Sequence, residues 1–396
     1  MNKLLKTLGV ASMAGLVSLS LASCDGTNAD KAKIIIGTYM SRGNTQESLK
    51  NYLDSIKDDL NFEYETVLIS QTNAQENLNT FQTALETGTD AVITMMDNDL
   101  NNTKAILEAC KNAGAYFAGW QTDFNNSRDD ASFINDDHFV GAATDGDMEG
   151  EALGEYFFNL LSETDNRNIV LARTPEYAYP TGKQATDEFK RLADAWNETH
   201  EEDKFNIIDA NTSDPNDWSY DMGFGGNLDA TVLDTWTAAE CDAIVAVNSL
   251  ATRIHTTLVS RNVDDKIDLY TVGWDEGILP YFGDDKCIKT LGQSPAETIV
   301  YPLIMCLNAI RGCEFTDMPQ GMDKLVVGQR VMVASNADYA AGKENCMIYS
   351  DDYSASRALI SGEDLKAYLG DAEGASFAKL KGLLDSWDSE YVLYRK

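Results

Sequence analysis

The sequence predicts an α/β protein built from two tandem units, each a parallel β-sheet covered by helices. Three observations predict it. Short apolar, β-branched runs alternate with stretches of helical spacing over residues 32–274. The alternation breaks once, at "SFINDDHFVG" (residues 132–141), and then restarts. With 396 residues and 43% hydrophobic content, the chain can supply two cores.

The first unit opens with "AKIIIGTYM" (32–40), a buried strand. "NTQESLKNYLDSIKDDL" (44–60) places Leu49, Leu53, Ile56 and Leu60 on one helical face. Strand "FEYETVLIS" (62–70) leads to helix "NAQENLNTFQTALETG" (73–88), which Gly88 stops. Strand "DAVITMM" (90–96), helix "NNTKAILEACKNAG" (101–114) and strand "AYFAGW" (115–120) complete it. Strands joined by crossover helices run parallel and are covered on both faces.

After the break, helix "DMEGEALGEYFFNLLSE" (147–163) precedes strand "NIVLART" (168–174) and helix "GKQATDEFKRLADAWNE" (182–198). Then come strand "KFNIIDA" (204–210), helix "NLDATVLDTWTAA" (227–239), strand "CDAIVAVN" (241–248), helix "LATRIHTTLVSRN" (250–262) and strand "IDLYTVGW" (267–274). Beyond them, "CIKTLGQS" (287–294) and "KLVVGQRVMVAS" (324–335) read as strands around helix "AETIVYPLIMCLNAIRG" (296–312). Residues 339–396 form an acidic, aromatic-containing extension of open role, helical in "FAKLKGLLDSW".

The amino terminus reads as an export signal. Lys3 and Lys6 precede an apolar, small-residue run that ends "LASC" at Cys24, too short for a good membrane span. That ending resembles the bacterial lipobox, so residues 1–23 are expected to be removed and Cys24 to carry lipid, with 24–33 as a polar tether. The expected location is extracytoplasmic, on a lipid anchor. Losing two lysines and no acids would move the net charge from −33 to −35. Such a charge repels nucleic acid, which is excluded as a partner.

Cys110, Cys241, Cys287, Cys306, Cys313 and Cys346 include no CxxC pair, leaving disulfides or buried thiols open. His138, His200 and His255 are scattered, which argues against a histidine-based metal or hydrolase site. "DGDMEGEALGEY" (145–156) begins like a calcium loop but has Tyr156 where a bidentate Glu is needed. Acids at a helix start also favour its dipole without metal. "SRGN" (41–44) lacks the glycine spacing of a phosphate-binding loop. No cofactor, metal or catalytic residue is expected.

In open parallel sheets, ligands bind outside the carboxyl ends of the strands. Those ends carry Thr38 and Tyr39, Met95, Met96 and Asp97, Trp120, Gln121 and Asp123, Arg173 and Thr174, Asn248, and Trp274 and Asp275. Aromatic rings beside amide, hydroxyl and charged groups suit a sugar, which offers C–H faces and hydroxyls. Both Trp120 and Trp274 follow glycine at a strand end. Trp218, in "DPNDWSYDMGFGGN" (214–227), reads either as packing or as a cleft wall.

Over residues 33–338 the chain resembles the type I periplasmic binding proteins of ABC importers, in particular the ribose/galactose-type sugar-binding group. The segment "CDAIVAVNSLATRIHTTLVSRNVDDKIDLYTVGWDEG" carries the resemblance most specifically, with Asn248, Trp274 and Asp275 at the family's ligand positions. "IKTLGQSPAETI" resembles the hinge segment whose glutamine reaches the ligand, here Gln293, and "FINDDHFVG" the first interdomain crossing, with Asp137. The family's second-lobe arginine falls at Lys183, with Arg173 and Tyr179 as rivals. Its first-lobe Asp-Arg pair is replaced by Trp120 and Gln121, with Asp123 nearby.

The resemblance implies two Rossmann-like lobes joined by a three-segment hinge, with crossings at 136–138, 278–293 and near 330. Residues 34–136 plus 281–330 would form one lobe, 137–280 plus 331–338 the other. It also implies capture of a sugar or sugar-like ligand between the lobes, delivery to an ABC permease, and no enzymatic activity. Trp120 and Trp274 would face each other across the ligand, so closure adds contacts that the open state lacks. A surface receptor of the same fold for a nucleoside or signalling molecule is the alternative. An exported hydrolase is a third reading, based only on abundant carboxylates.

Overall fold

The computed structural model describes residues 31–39, 44–70, 73–95, 100–122, 131–144, 147–176, 180–210, 217–223, 227–247, 251–273, 276–328 and 330–395. Among them the strands are β1 (Ala32–Thr38), β2 (Phe62–Leu68), β3 (Ala91–Thr94), β4 (Tyr116–Thr122), β5 (Phe139–Thr144), β6 (Asn168–Arg173), β7 (Asn206–Ile207), β8 (Tyr220–Asp221), β9 (Ala243–Val247), β10 (Asp268–Thr271), β11 (Leu291–Gln293), β12 (Leu325–Val327) and β13 (Val331–Val333).

They build an α/β architecture with two parallel sheets. The first has strand order β12-β5-β4-β3-β1-β2, and the second β10-β9-β6-β7, with β8 also on β6. Every pair in both sheets is parallel. A third, two-stranded antiparallel element pairs β11 with β13.

Three details differ from the sequence pattern. "FINDDHFVG" (133–141) was expected to be a crossing, but its last residues begin β5, which bonds into the first sheet, so the chain stays there through Thr144. Gly141 permits this: its φ is +141°, and a Cβ would press on the Lys324 carbonyl and the Tyr301 hydroxyl. The single strand expected at 324–335 is two strands, β12 on the first sheet and β13 on β11. The strand expected at 204–210 shrinks to β7, and β8 continues its lane beside β6.

The second sheet shows how period-two alternation fills both faces. Ile169, Leu171, Val245 and Val247 pack with Phe157, Leu161 and Phe189 of helices Asp147–Ser162 and Pro180–Asn197. Val170, Ala172, Ile244 and Ala246 face the other way, into the main core with Leu233, Trp236 and Ile254. In the first sheet, Phe117, Phe133 and Phe139 form a ring cluster with centroids 4.7–6.3 Å apart. Each such buried ring contributes about 1.5–3 kcal/mol relative to exposure.

The extension is part of this core. Leu359, Ile360, Leu365, Leu380, Leu384, Trp387, Val392 and Leu393 are buried in it. Its four helices start at the side-chain caps Ser335, Ser361, Ser376 and Asp388. It bonds to the first unit through Asn51 Nδ2 to Tyr353 O (3.1 Å) and Gly370 N to Asn308 Oδ1 (2.8 Å). It grips the hinge strands through Tyr349 Oη to Val331 O (2.7 Å) and Met332 N to Ser389 Oγ (2.9 Å). Gly370 is required there, since a Cβ would overlap the Cys313 carbonyl.

Cys110, Cys241, Cys287, Cys306 and Cys346 are buried free thiols. Burial pushes their acidity away from the reactive range, with Cys110, Cys241, Cys287 and Cys346 up to about 12. No helix among the described residues is long and apolar enough to cross a membrane.

Candidate functional site

The carboxyl ends of both sheets converge on β11 and the residue after it. Gln293 donates from Nε2 to Thr45 Oγ1, in the first turn of helix Asn44–Ile56 that follows β1. Gln121, near the end of β4, directs its Nε2 at Ser294 O, 3.5 Å away. From the second sheet, Gly273 N donates to Gly292 O at 3.1 Å, just past β10. Residues 292–294 thus join three strand ends drawn from the two sheets.

Gln121 is held in an unusual backbone. Its φ is +45°, in the left-handed region, where β4 and β5 slip register between Trp120 and Thr122. A non-glycine residue in this region costs on the order of 1–2 kcal/mol. The bulge separates the two side chains: Gln121 is half-buried against the hinge segment, while Trp120 goes into the core.

This corrects the expected role of Trp120. It is fully buried, and its Nε1 donates to Thr298 Oγ1 at 2.9 Å. Protein already covers the indole, so it offers no face to a ligand. A tryptophan at a strand end needs a cover, and here the turn after β11 supplies it.

Arg173, the last residue of β6, is 5% exposed. Its Nη2 donates to Asp217 Oδ2 at 2.5 Å, its Nε to Ser219 Oγ at 2.8 Å and its Nη1 to Thr174 O at 3.1 Å. Burial pushes the Asp217 pKa up, but hydrogen bonds from Ser219 and Arg173 outweigh this and hold it below the ordinary carboxylate value. The guanidinium is therefore oriented by three partners and paired with a carboxylate. Thr174 Oγ1, beside it, is buried without a partner among the described residues.

Thr38 is buried, with Oγ1 donating to Gln46 Oε1 at 3.0 Å, and Tyr39 beside it is half-buried. Lys183 is held by Asp187 one helical turn on, at 2.7 Å. Trp218 is 40% exposed, with Lys190 Nζ 4.8 Å from its ring centroid, so it is not a core residue. Asp97, Asp123, Asn248, Trp274 and Asp275, like Cys24 and Tyr179, lie outside the described residues. So do Asp145 and Gly146 of the calcium-like stretch, and no group of three or more metal-ligating side chains occurs among the described residues.

Sequence reasoning missed Thr45, Asp217, Ser219 and Ser294. Thr45 had a usable signal, a hydroxyl in the first turn of a helix that follows a strand. Asp217 and Ser219 flank Trp218 in a polar loop, where nothing in the spacing pointed to Arg173.

The sequence profile described as "Periplasmic binding protein domain" matches residues 37–312. No curated protein matches the chain. Among solved structures, an ABC transporter solute-binding protein from Burkholderia graminis, in complex with D-arabinose, has a TM-score of 0.56 at 11% identity, covering 78% of this chain and 97% of its own. The glucose-galactose binding protein GanP from Geobacillus stearothermophilus scores 0.54 at 12% identity, with 77% and 98% covered. A sugar ABC transporter structure from Yersinia enterocolitica scores 0.52 at 13%, with 78% and 84% covered. At these identities the likeness is one of fold.

Proposed function

The chain belongs to the periplasmic binding protein family, and on that premise we propose that it captures a sugar between two lobes and delivers it to an ABC permease. The convergence of both sheets' carboxyl ends on residues 292–294 carries this reading. The similar structures from Burkholderia graminis, with D-arabinose, and Geobacillus stearothermophilus, a glucose-galactose binder, support the ligand class.

In this reading the lobes are residues 34–144 with 281–330 and residues 145–280 with 331–338, the first boundary lying beyond 136 because β5 pairs within the first sheet, and they flex along β11 and β13. Thr38, Tyr39, Gln121 and Gln293 face the ligand from the first lobe and hinge, with Asp97 and Asp123 from the strand-end loops. Arg173, Asn248, Trp274 and Asp275 face it from the second lobe, with Lys183 at the rim. Trp274 stacks on the ring and Asp275 accepts from hydroxyls. These contacts complete only on closure, which is how a ligand shifts the population toward the closed state. Trp120 acts from behind, bracing the turn after β11.

Cys24 carries the lipid that holds the protein at the outer face of the cell membrane. Labelling cells with a fatty-acid analogue tests this: Cys24→Ala should abolish the label. The ligand is tested by thermal shift against monosaccharides, disaccharides and nucleosides, followed by calorimetry on any hit. A monosaccharide or disaccharide that raises Tm and is recovered unchanged supports capture. Response to nucleosides alone would favour the receptor reading, and accumulation of a cleaved product the hydrolase.

A further inference from the structure

We propose that residues 336–395 form a strap across the hinge, and that its grip depends on Glu297 holding a proton. Glu297 lies in the 3-10 turn Ala296–Ile299, four residues beyond Gln293, and is fully buried. Its Oε1 accepts from Leu359 N, in the strap, at 3.2 Å. Its Oε2 has no hydrogen-bond partner among the described residues. On helix Asn44–Ile56, which packs on this turn, Ser48 and Tyr52 sit one helical turn apart on one face, fully buried, and neither hydroxyl has a hydrogen-bond partner among the described residues.

A carboxylate in such a place would be costly, because no basic side chain bonds to it among the described residues. As the neutral acid, Glu297 keeps Oε1 as acceptor for the strap and carries no charge into this buried setting. The charged and titratable groups facing it are Tyr52 on that helix, the Cys346 thiol at the carboxyl end of helix Asn336–Asn345 and Arg395 at the strap's end. Burial raises Tyr52 well above its ordinary value and Cys346 up to about 12, so both stay neutral at physiological pH. Burial likewise pushes Glu297 up to about 7, within reach of environmental change.

Arg395 completes the device. Its Nη2 donates to Asn345 O (2.6 Å), Arg357 O (2.9 Å) and Ala358 O (3.4 Å), clasping the strap on itself. When Glu297 loses its proton, the buried negative charge draws Arg395 away from these carbonyls, and the strap loosens from the helix and from β13. Neither the proton nor the strap enters the ligand site, so this inference stands apart from the sugar reading.

Hydrogen exchange of the full, ligand-free chain tests it, with protection factors normalised for intrinsic rates at about pH 5.5 and about pH 8.5, either side of the titration. Protection across 346–360 and 387–395 should fall roughly tenfold or more on raising pH, and Glu297→Gln should abolish that fall. Equal protection at both pH values, or the same fall in the Gln variant, would overturn the proposal. Infrared spectroscopy of the unmodified chain needs no variant to fold. A protonated-acid carbonyl band should be present at about pH 6 and fade by about pH 8.5; its absence at the lower pH would overturn the proposal as well.

Discussion

Trp120 and Thr298, 178 residues apart, are joined by an indole-to-hydroxyl hydrogen bond of 2.9 Å. Thr298 Oγ1 in turn donates to Pro295 O at 2.9 Å, so the bond pins the turn after β11 to the first sheet. Trp120→Ala should cost about 3–5 kcal/mol through cavity formation, and Trp120→Phe about 1–3 kcal/mol. Urea denaturation measures both; wild-type stability in the Ala variant would refute the core assignment.

Trp274→Ala should behave differently. It should weaken ligand binding roughly tenfold or more through lost stacking and area burial, with little change in the midpoint of denaturation. Calorimetry with the ligand identified by thermal shift supplies the comparison. Unchanged affinity would remove Trp274 from the site.

Asp217→Ala should destabilise the fold by about 3–5 kcal/mol, because it strands the Arg173 guanidinium in a buried setting. Double replacement, Arg173→Met with Asp217→Ala, should recover part of that loss. The recovery is measured in a double-mutant denaturation cycle. If the single variant is as stable as the parent, the buried pair does not contribute to holding the fold.

Two carboxyl groups should bend the pH profile of stability in opposite directions. Burial raises Glu297 from 4.5 to about 7, so the folded state binds that proton more tightly than the unfolded chain. Its stabilisation is complete below about pH 4.5 and is lost as pH rises through about 7, roughly 3 kcal/mol in all. Asp54 is desolvated, but hydrogen bonds from Lys50 and Lys57 win and lower it from 3.8 to about 2. Its contribution is present above pH 3.8 and is lost as pH falls through about 2. Thermal melts across pH should show the Glu297 decline in the parent and not in Glu297→Gln.

The tandem α/β plan was legible because each strand–helix step carries its own local signal: an apolar run, then a one-sided helical face. β5 was not, because its assignment rests on Gly141 adopting a positive φ and on pairing with β4, neither of which periodicity shows. The site was legible as a set of strand ends, yet Trp120 was misplaced. A tryptophan after glycine at a strand end reads the same whether a ligand or protein covers it, and here the cover lies far along the chain. The extension's packing was hidden for a similar reason. Its leucines look like those of any short amphipathic helix, and the surface they meet is scattered over residues 44–56, 297–311 and 331–333.

That packing also dictates an order of assembly. Asn51 waits for a carbonyl 302 residues downstream, and Glu297 for an amide at Leu359. The opening helix of the molecule cannot reach its final environment until nearly the whole polypeptide is present. Such non-local closure slows folding, so the chain stays unfinished until its last residues lock it.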